Sequence, residues 1–137
     1  MPRISTEIRI QVALRAGHKC EYCKSPEQYS ISGFSIEHVT PVSKGGTSTI
    51  ENLALARQQC NNHKYNAVEA LDPVSEEIYK LFSPRSEKWE SHFAWDYQYL
   101  HVVGLTGMGR ATGYRLNLNR EGIVNLRRLL SANNLHP

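Results

Sequence analysis

The sequence predicts an α+β fold in which helices are mixed with short antiparallel strands. Three observations carry that prediction. Residues 8, 12 and 16 (Ile8, Val12, Ala16) repeat at a four-residue apolar spacing suited to one helix face. Phe34-Ser35-Ile36-Glu37-His38-Val39 alternates apolar and polar residues with an aromatic and β-branched bias, as a half-buried strand does. Ile123, Leu126, Leu129 and Leu130 return to a helical spacing near the C-terminus.

Taken in order, Ser5 or Thr6 caps a first helix that runs to about Ala16, and Gly17 suits its stop. Cys20-Glu21-Tyr22-Cys23 forms a tight knuckle, with Ser25-Pro26 opening a loop. The strand at 34–39 ends at Pro41. Lys44-Gly45-Gly46-Thr47 is a turn, because glycine tolerates positive φ, and Asn52-Leu53-Ala54-Leu55 begins a return strand. A helix is expected over 58–68. Asp72-Pro73 and Ser83-Pro84 are breaks, with a turn or short helix over 76–82 between them. The aromatic stretch from Trp89 to Tyr99, followed by Leu100 to Gly104, predicts a β-hairpin. Gly107 and Gly109 loosen the chain before a helix over 111–118, and Asn119 caps the last helix. No repeat or low-complexity tract is present.

Bulk properties narrow the function classes. A chain of 137 residues with 40% hydrophobic content can build its own core, and it is too apolar for a disordered chain. No apolar run approaches the roughly 20 residues that span a bilayer, and the start lacks the layout of a secretory signal. The expectation is a soluble, cytoplasmic protein without a membrane partner. Three cysteines are an odd number, which favours thiols or metal ligands over a disulfide framework. The net charge of +3 is mild, but Arg110, Arg115, Arg120, Arg127 and Arg128 face a single acid, Glu121, between residues 109 and 130. A basic C-terminal surface for nucleic acid is expected; the plainer alternative is a solvated helix face.

The chemistry lies in four features that follow one another within 45 residues. They are Cys20-x-x-Cys23, then Glu37-His38-Val39-Thr40-Pro41, then Gly45-Gly46 with Asn52-Leu53, then Cys60-Asn61-Asn62-His63-Lys64. Each is weak alone: a single strand histidine is ordinarily structural, and an Asn before Leu is common. Their order is the signal. In "CEYC", "IEHVTPVSKGG", "ENLALA" and "CNNHKYN" the chain resembles the HNH endonuclease family, and its C-terminal part resembles that of a group of small bacterial HNH proteins.

The resemblance implies a ββα-metal core with an N-terminal helix over residues 1–70, and a hairpin-plus-helices extension packed on it over 71–137. It implies a divalent-metal-dependent endonuclease that hydrolyses phosphodiester bonds, DNA being the expected substrate. By position, His38 matches the general base, and Glu37 and Asn61 match the two protein ligands of a catalytic Mg²⁺ or Mn²⁺. Those are the hard oxygen donors that Mg²⁺ prefers, and a neutral imidazole titrates near working pH. Asn52 matches the middle Asn of the motif and is expected to tie down the loop holding His38. His63 is a candidate to assist the metal or phosphate. Lys44, Arg57, Lys64, Arg110 and Arg115 are candidate phosphate contacts.

The pattern breaks at one place. Many family members carry structural zinc on two Cys-x-x-Cys pairs, but the position expected to pair with Cys60 is Arg57, and a guanidinium cannot ligate. Cys20, Cys23 and Cys60 could bind zinc with His63, with water or His18, or could remain metal-free as small apolar groups. Two rival functions stay open: a catalytically inactive nucleic-acid-binding module with the same fold, and a zinc-stabilised protein-interaction domain.

Overall fold

A computed structural model describes residues 4–137; Met1–Arg3 lie outside the described residues. Among the described residues the architecture mixes helices with three two-stranded antiparallel sheets, as α+β implies. The chain divides into two compact units. Unit 1 runs to Val68 and includes Ser83–Ser86; unit 2 comprises Glu69–Phe82 and Glu87–Pro137.

Unit 1 opens with α1 (Thr6–Arg15), whose first turn is capped by the Ser5 hydroxyl accepting from the Ile8 amide at 3.2 Å. Gly17, at φ +64, takes the left-handed conformation that ends it. Of α1's apolar residues only Val12 is buried, so the predicted stripe is narrower than its spacing suggested. Strands β1 (Ser35–His38) and β2 (Leu53–Ala56) pair antiparallel, with Glu37 opposite Ala54 and His38 opposite Leu53. All four β2 residues are buried. A strand covered on both faces needs apolar side chains at every position, and Leu-Ala-Leu-Ala supplies them. Arg15 ties α1 to this region by donating to the Ile50 carbonyl at 2.9 Å.

Helix α2 (Gln58–Lys64) is shorter than expected. At Tyr65 the backbone turns to φ +51, and the predicted continuation to residue 68 is lost. The side chains that α2 buries are Cys60 and Lys64.

In unit 2 the segment expected as a turn or short helix is a strand instead. β4 (Ile78–Lys80) pairs with β3 (Glu69–Leu71), forming a hairpin that the sequence reading missed. Its turn is built by Asp72, whose carboxylate accepts from the Val74 amide at 3.0 Å and the Ser75 hydroxyl at 2.8 Å. The aromatic region holds a short α3 (Trp89–His92) and then β5 (Phe93–Trp95), which pairs with β6 (Val102–Gly104). Trp89 lies 5.2 Å from Phe93 and Phe82 meets Phe93 edge-on at 5.3 Å. Each such buried ring contributes about 1.5–3 kcal/mol.

Helix α4 (Gly107–Leu116) begins earlier than predicted, with Thr106 accepting from the Gly109 amide. Two of its glycines are close-approach positions: a Cβ at Gly107 would lie 2.2 Å from the Tyr79 ring, and one at Gly109 would lie 2.1 Å from the His92 carbonyl oxygen. The last helix, α5 (Glu121–Ala132), is not capped by Asn119. That side chain instead bridges the amide and carbonyl of Val102 at 2.7 and 2.9 Å. α5 buries Ile123, Val124, Arg127 and Leu130, while Leu129 is exposed. Arg127 thus belongs to the core and not to the expected basic surface.

Candidate active site and thiol cluster

Neighbouring residues on a strand ordinarily point to opposite faces. Glu37 and His38 nevertheless both line one cavity of about 930 Å³, and Asn61 from α2 lines it too. Arg9, Ile36, Pro41, Val42 and Tyr65 are among the other walls. The volume admits a phosphodiester segment with water. Carboxylate, imidazole and carboxamide, 24 residues apart at the extremes, therefore share one opening.

Glu37 is only 3% exposed. Its Oε1 accepts from the Tyr22 phenol, and its Oε2 lies 3.1 Å from the Lys64 ammonium. Burial pushes its pKa above the ordinary carboxylate value, opposed by the Lys64 charge and the Tyr22 hydrogen bond. His38 Nε2 is 2.9 Å from the Ser48 hydroxyl. Burial, with the Lys64 charge, holds the His38 pKa below its usual value, so its neutral form is favoured.

The loop between β1 and β2 is fastened by Asn52. Its carboxamide donates to the Thr40 and Thr47 carbonyls at 2.9 and 2.8 Å and accepts from the Thr40 amide at 2.9 Å. Asn52 itself is not among the cavity's walls.

Other residues are placed differently from expectation. His63 is exposed and does not line the cavity, because two steps along a helix from Asn61 turn it to another face. Lys64 points inward to Glu37 and away from a phosphate-facing surface. Arg110 in unit 2 binds Asp72 through Nε and Nη2, at 3.0 and 2.9 Å, so its guanidinium is already committed. Lys44 and Arg115 are exposed, and Arg57 is half-buried. Sequence reasoning missed Tyr22 and Arg9. Tyr22 was visible as the residue inside the cysteine knuckle, whereas no spacing tied Arg9 on α1 to Glu37.

The cysteine knuckle reaches the sheet from both of its central residues. Glu21 accepts from the Leu55 amide at 2.9 Å and pairs with Arg85, while Tyr22 reaches Glu37. Cys20, Cys23 and Cys60 are fully buried, and their sulfurs all lie within 4.8 Å of one another. The Cys23 amide points at Cys20 Sγ, 3.4 Å away, and Cys23 Sγ is 3.1 Å from Ser25 Oγ. Burial pushes the Cys20 thiol up; Cys23, against burial, is brought down by hydrogen bonds from Cys20, Cys60 and Ser25. The trio is thus a candidate metal site. Among the described residues no histidine, cysteine, aspartate or glutamate joins it as a fourth ligand. His18 instead lies 3.6 Å from Glu27, and His63 is turned to solvent. The expected options of a fourth histidine ligand are not supported. Arg57 places Nη1 in a buried position without a hydrogen-bond partner among the described residues.

Comparison with known families matches residues 20–67 to the family model of the HNH endonucleases. That family acts on nucleic acids and is generally metal-dependent. Neither the comparison with curated proteins nor that with solved structures gave a match. The matched stretch contains every cavity residue singled out above except Arg9, together with all three cysteines.

Proposed function

We propose that this chain, which carries an HNH endonuclease domain at residues 20–67, is a divalent-metal-dependent endonuclease that hydrolyses phosphodiester bonds in DNA. The observation that carries this reading is the single cavity shared by Glu37, His38 and Asn61.

The donor set fits a hard cation: Glu37 and Asn61 offer carboxylate and amide oxygens, and the cavity leaves room for water and phosphate. When bound there, Mg²⁺ or Mn²⁺ supplies Lewis-acid stabilisation for charge on the phosphate and the departing 3′ oxygen. His38 is the general base. His38 Nε2 lies 2.9 Å from the Ser48 hydroxyl, and in the tautomer that donates there the Nδ1 lone pair takes a proton from the attacking water. The depressed His38 pKa keeps that lone pair available at neutral pH. Arg9 and exposed Lys44 are on hand for backbone phosphates, so binding is salt-sensitive and largely independent of base sequence. The thiol trio is an incomplete zinc site that steadies the knuckle without entering the reaction.

Plasmid nicking with Mg²⁺ or Mn²⁺, comparing wild type with His38→Ala, tests the reading. Loss of a general base is expected to slow cutting by about 100-fold or more. Equal cutting by both proteins removes His38 from that role. A second reading, a nucleic-acid-binding module without cleavage, is favoured by the ion pair that already occupies Glu37. DNA retention in a mobility-shift assay, with no nicking under any divalent ion, would select it.

A further inference from the structure

Lys64 is shut inside unit 1, its side chain 2% exposed. Its ammonium lies 3.1 Å from Glu37 Oε2 and donates to the Val39 carbonyl at 2.9 Å and more weakly to that of His38 at 3.4 Å. A buried ammonium is costly unless paired, and these three acceptors fix this one in place. Tyr22 holds the other carboxylate oxygen. A carboxylate has about four lone-pair sites, so two donors leave room for a further cation on the cavity side. Such a cation would stand beside an ammonium that has no route to solvent.

We propose that Lys64 is the built-in counter-ion of Glu37, and that it keeps the divalent-metal affinity of this cavity low until a phosphodiester is present. The inference rests on the reading of Glu37 as a metal ligand. Charge counting gives the direction. Glu37 and Lys64 together are neutral, so a divalent ion adds two uncompensated positive charges next to a buried ammonium. A phosphodiester brings one negative charge and offsets part of that excess. Metal and nucleic acid therefore favour each other's binding, a coupling that is reciprocal by linkage. The same ion pair gives the metal-free protein a satisfied carboxylate, so the fold does not depend on metal at this position.

The test measures Mn²⁺ binding to the full-length chain by the electron paramagnetic resonance of the free ion. Wild type, Lys64→Met and Glu37→Gln are each titrated with and without an oligothymidylate whose phosphorothioate links resist hydrolysis. Lys64→Met is expected to bind Mn²⁺ about tenfold tighter or more than wild type. The oligonucleotide should tighten Mn²⁺ binding in wild type more than in Lys64→Met, and Glu37→Gln should lose the site. Wild-type affinity in Lys64→Met, with loss in Glu37→Gln, overturns the counter-ion role alone. Retained binding in Glu37→Gln overturns both this role and Glu37 as ligand. If Lys64→Met does not fold by itself, it is refolded with and without millimolar Mn²⁺. Rescue by the ion supports the proposal, and failure to rescue overturns it.

Discussion

Asn52 and Thr40 are joined twice: the Thr40 amide donates to Asn52 Oδ1, and Asn52 Nδ2 donates to the Thr40 carbonyl, both at 2.9 Å. The pair pins the chain two residues beyond His38 to the start of β2. Asn52→Ala removes both bonds and a third to Thr47, but water can replace them at this exposed place. We expect a loss of only about 1 kcal/mol in denaturant unfolding. Nicking should fall much further, because the loop that carries Ser48 is released from its anchor. Unchanged nicking would show that the loop is held by other contacts.

Gly46 sits against the same pair. A Cβ there would fall 1.8 Å from the Thr40 carbonyl oxygen and 2.9 Å from Asn52 Nδ2. Gly45 has open space but a φ of +89. Gly46→Ala is therefore expected to destabilise unit 1 more than Gly45→Ala, whose cost is limited to about 1 kcal/mol of backbone strain. The reverse order in paired melting curves would refute the close-contact argument.

In the sequence, Arg57 occupies the position three residues before Cys60 at which a second Cys-x-x-Cys pair would have its first thiol. Zinc favours four tetrahedral ligands, and the described residues supply three thiols. Wild-type protein dialysed against a chelator should lose zinc, whereas Arg57→Cys should retain close to one ion per chain. Elemental analysis of both proteins decides it. Equal retention would mean that another donor already serves, Ser25 Oγ at 3.1 Å from Cys23 Sγ being one candidate.

Asp72 gives unit 2 an acid-sensitive element. Hydrogen bonds from Arg110, against the effect of burial, and further bonds from Val74 and Ser75 hold its carboxyl far below the ordinary range. A carboxylate whose folded pKa lies below its unfolded value stabilises the fold in full above about pH 4, and that contribution fades as pH falls toward the folded value. Trp89 and Trp95 are the chain's two tryptophans and both belong to unit 2, so their fluorescence reports its melting. Asp72→Asn should lower the melting temperature at neutral pH and flatten its decline between about pH 4 and pH 2. Parallel curves for the two proteins would exclude this residue as the source.

Arg127 and Arg128 are adjacent and opposite in kind. Arg127 is 1% exposed, donates to the carbonyls of Leu100 and Leu118 at 3.0 and 2.8 Å, and places its guanidinium 5.0 Å from the Trp95 ring centre. Arg128 is exposed, bonded to Asn125 within its own helix. Truncating Arg127 strands buried acceptors, so Arg127→Ala should cost about 2–4 kcal/mol against less than about 0.5 for Arg128→Ala. Urea unfolding followed by tryptophan fluorescence checks both. Similar costs would place Arg127 at the surface.

The sequence by itself determined the local features that short-range chemistry dictates. A cap at Ser5 or Thr6, a strand around Ser35–His38, the Gly45-Gly46 turn and the thiol spacing all follow from neighbouring residues, as does the order of motifs that marks the endonuclease domain. Even the misread stretches were local failures. The hairpin of β3 and β4 has short strands with exposed ends, so its residues carry no strong alternation, and Asp72-Pro73 read as a break when it was a hairpin corner.

Tertiary structure decided where charged side chains go. A lysine or arginine looks the same in sequence whether it faces solvent, a phosphate or a buried acid. Lys64 turns inward because Glu37 is buried opposite it, Arg110 because Asp72 is, and Arg127 because backbone carbonyls converge on it. Each choice depends on a partner distant in the chain, 27 residues away for Lys64 and 38 for Arg110. Desolvation makes such partners obligatory, since a buried ion without one is too costly to keep, and no periodicity records which one will be near.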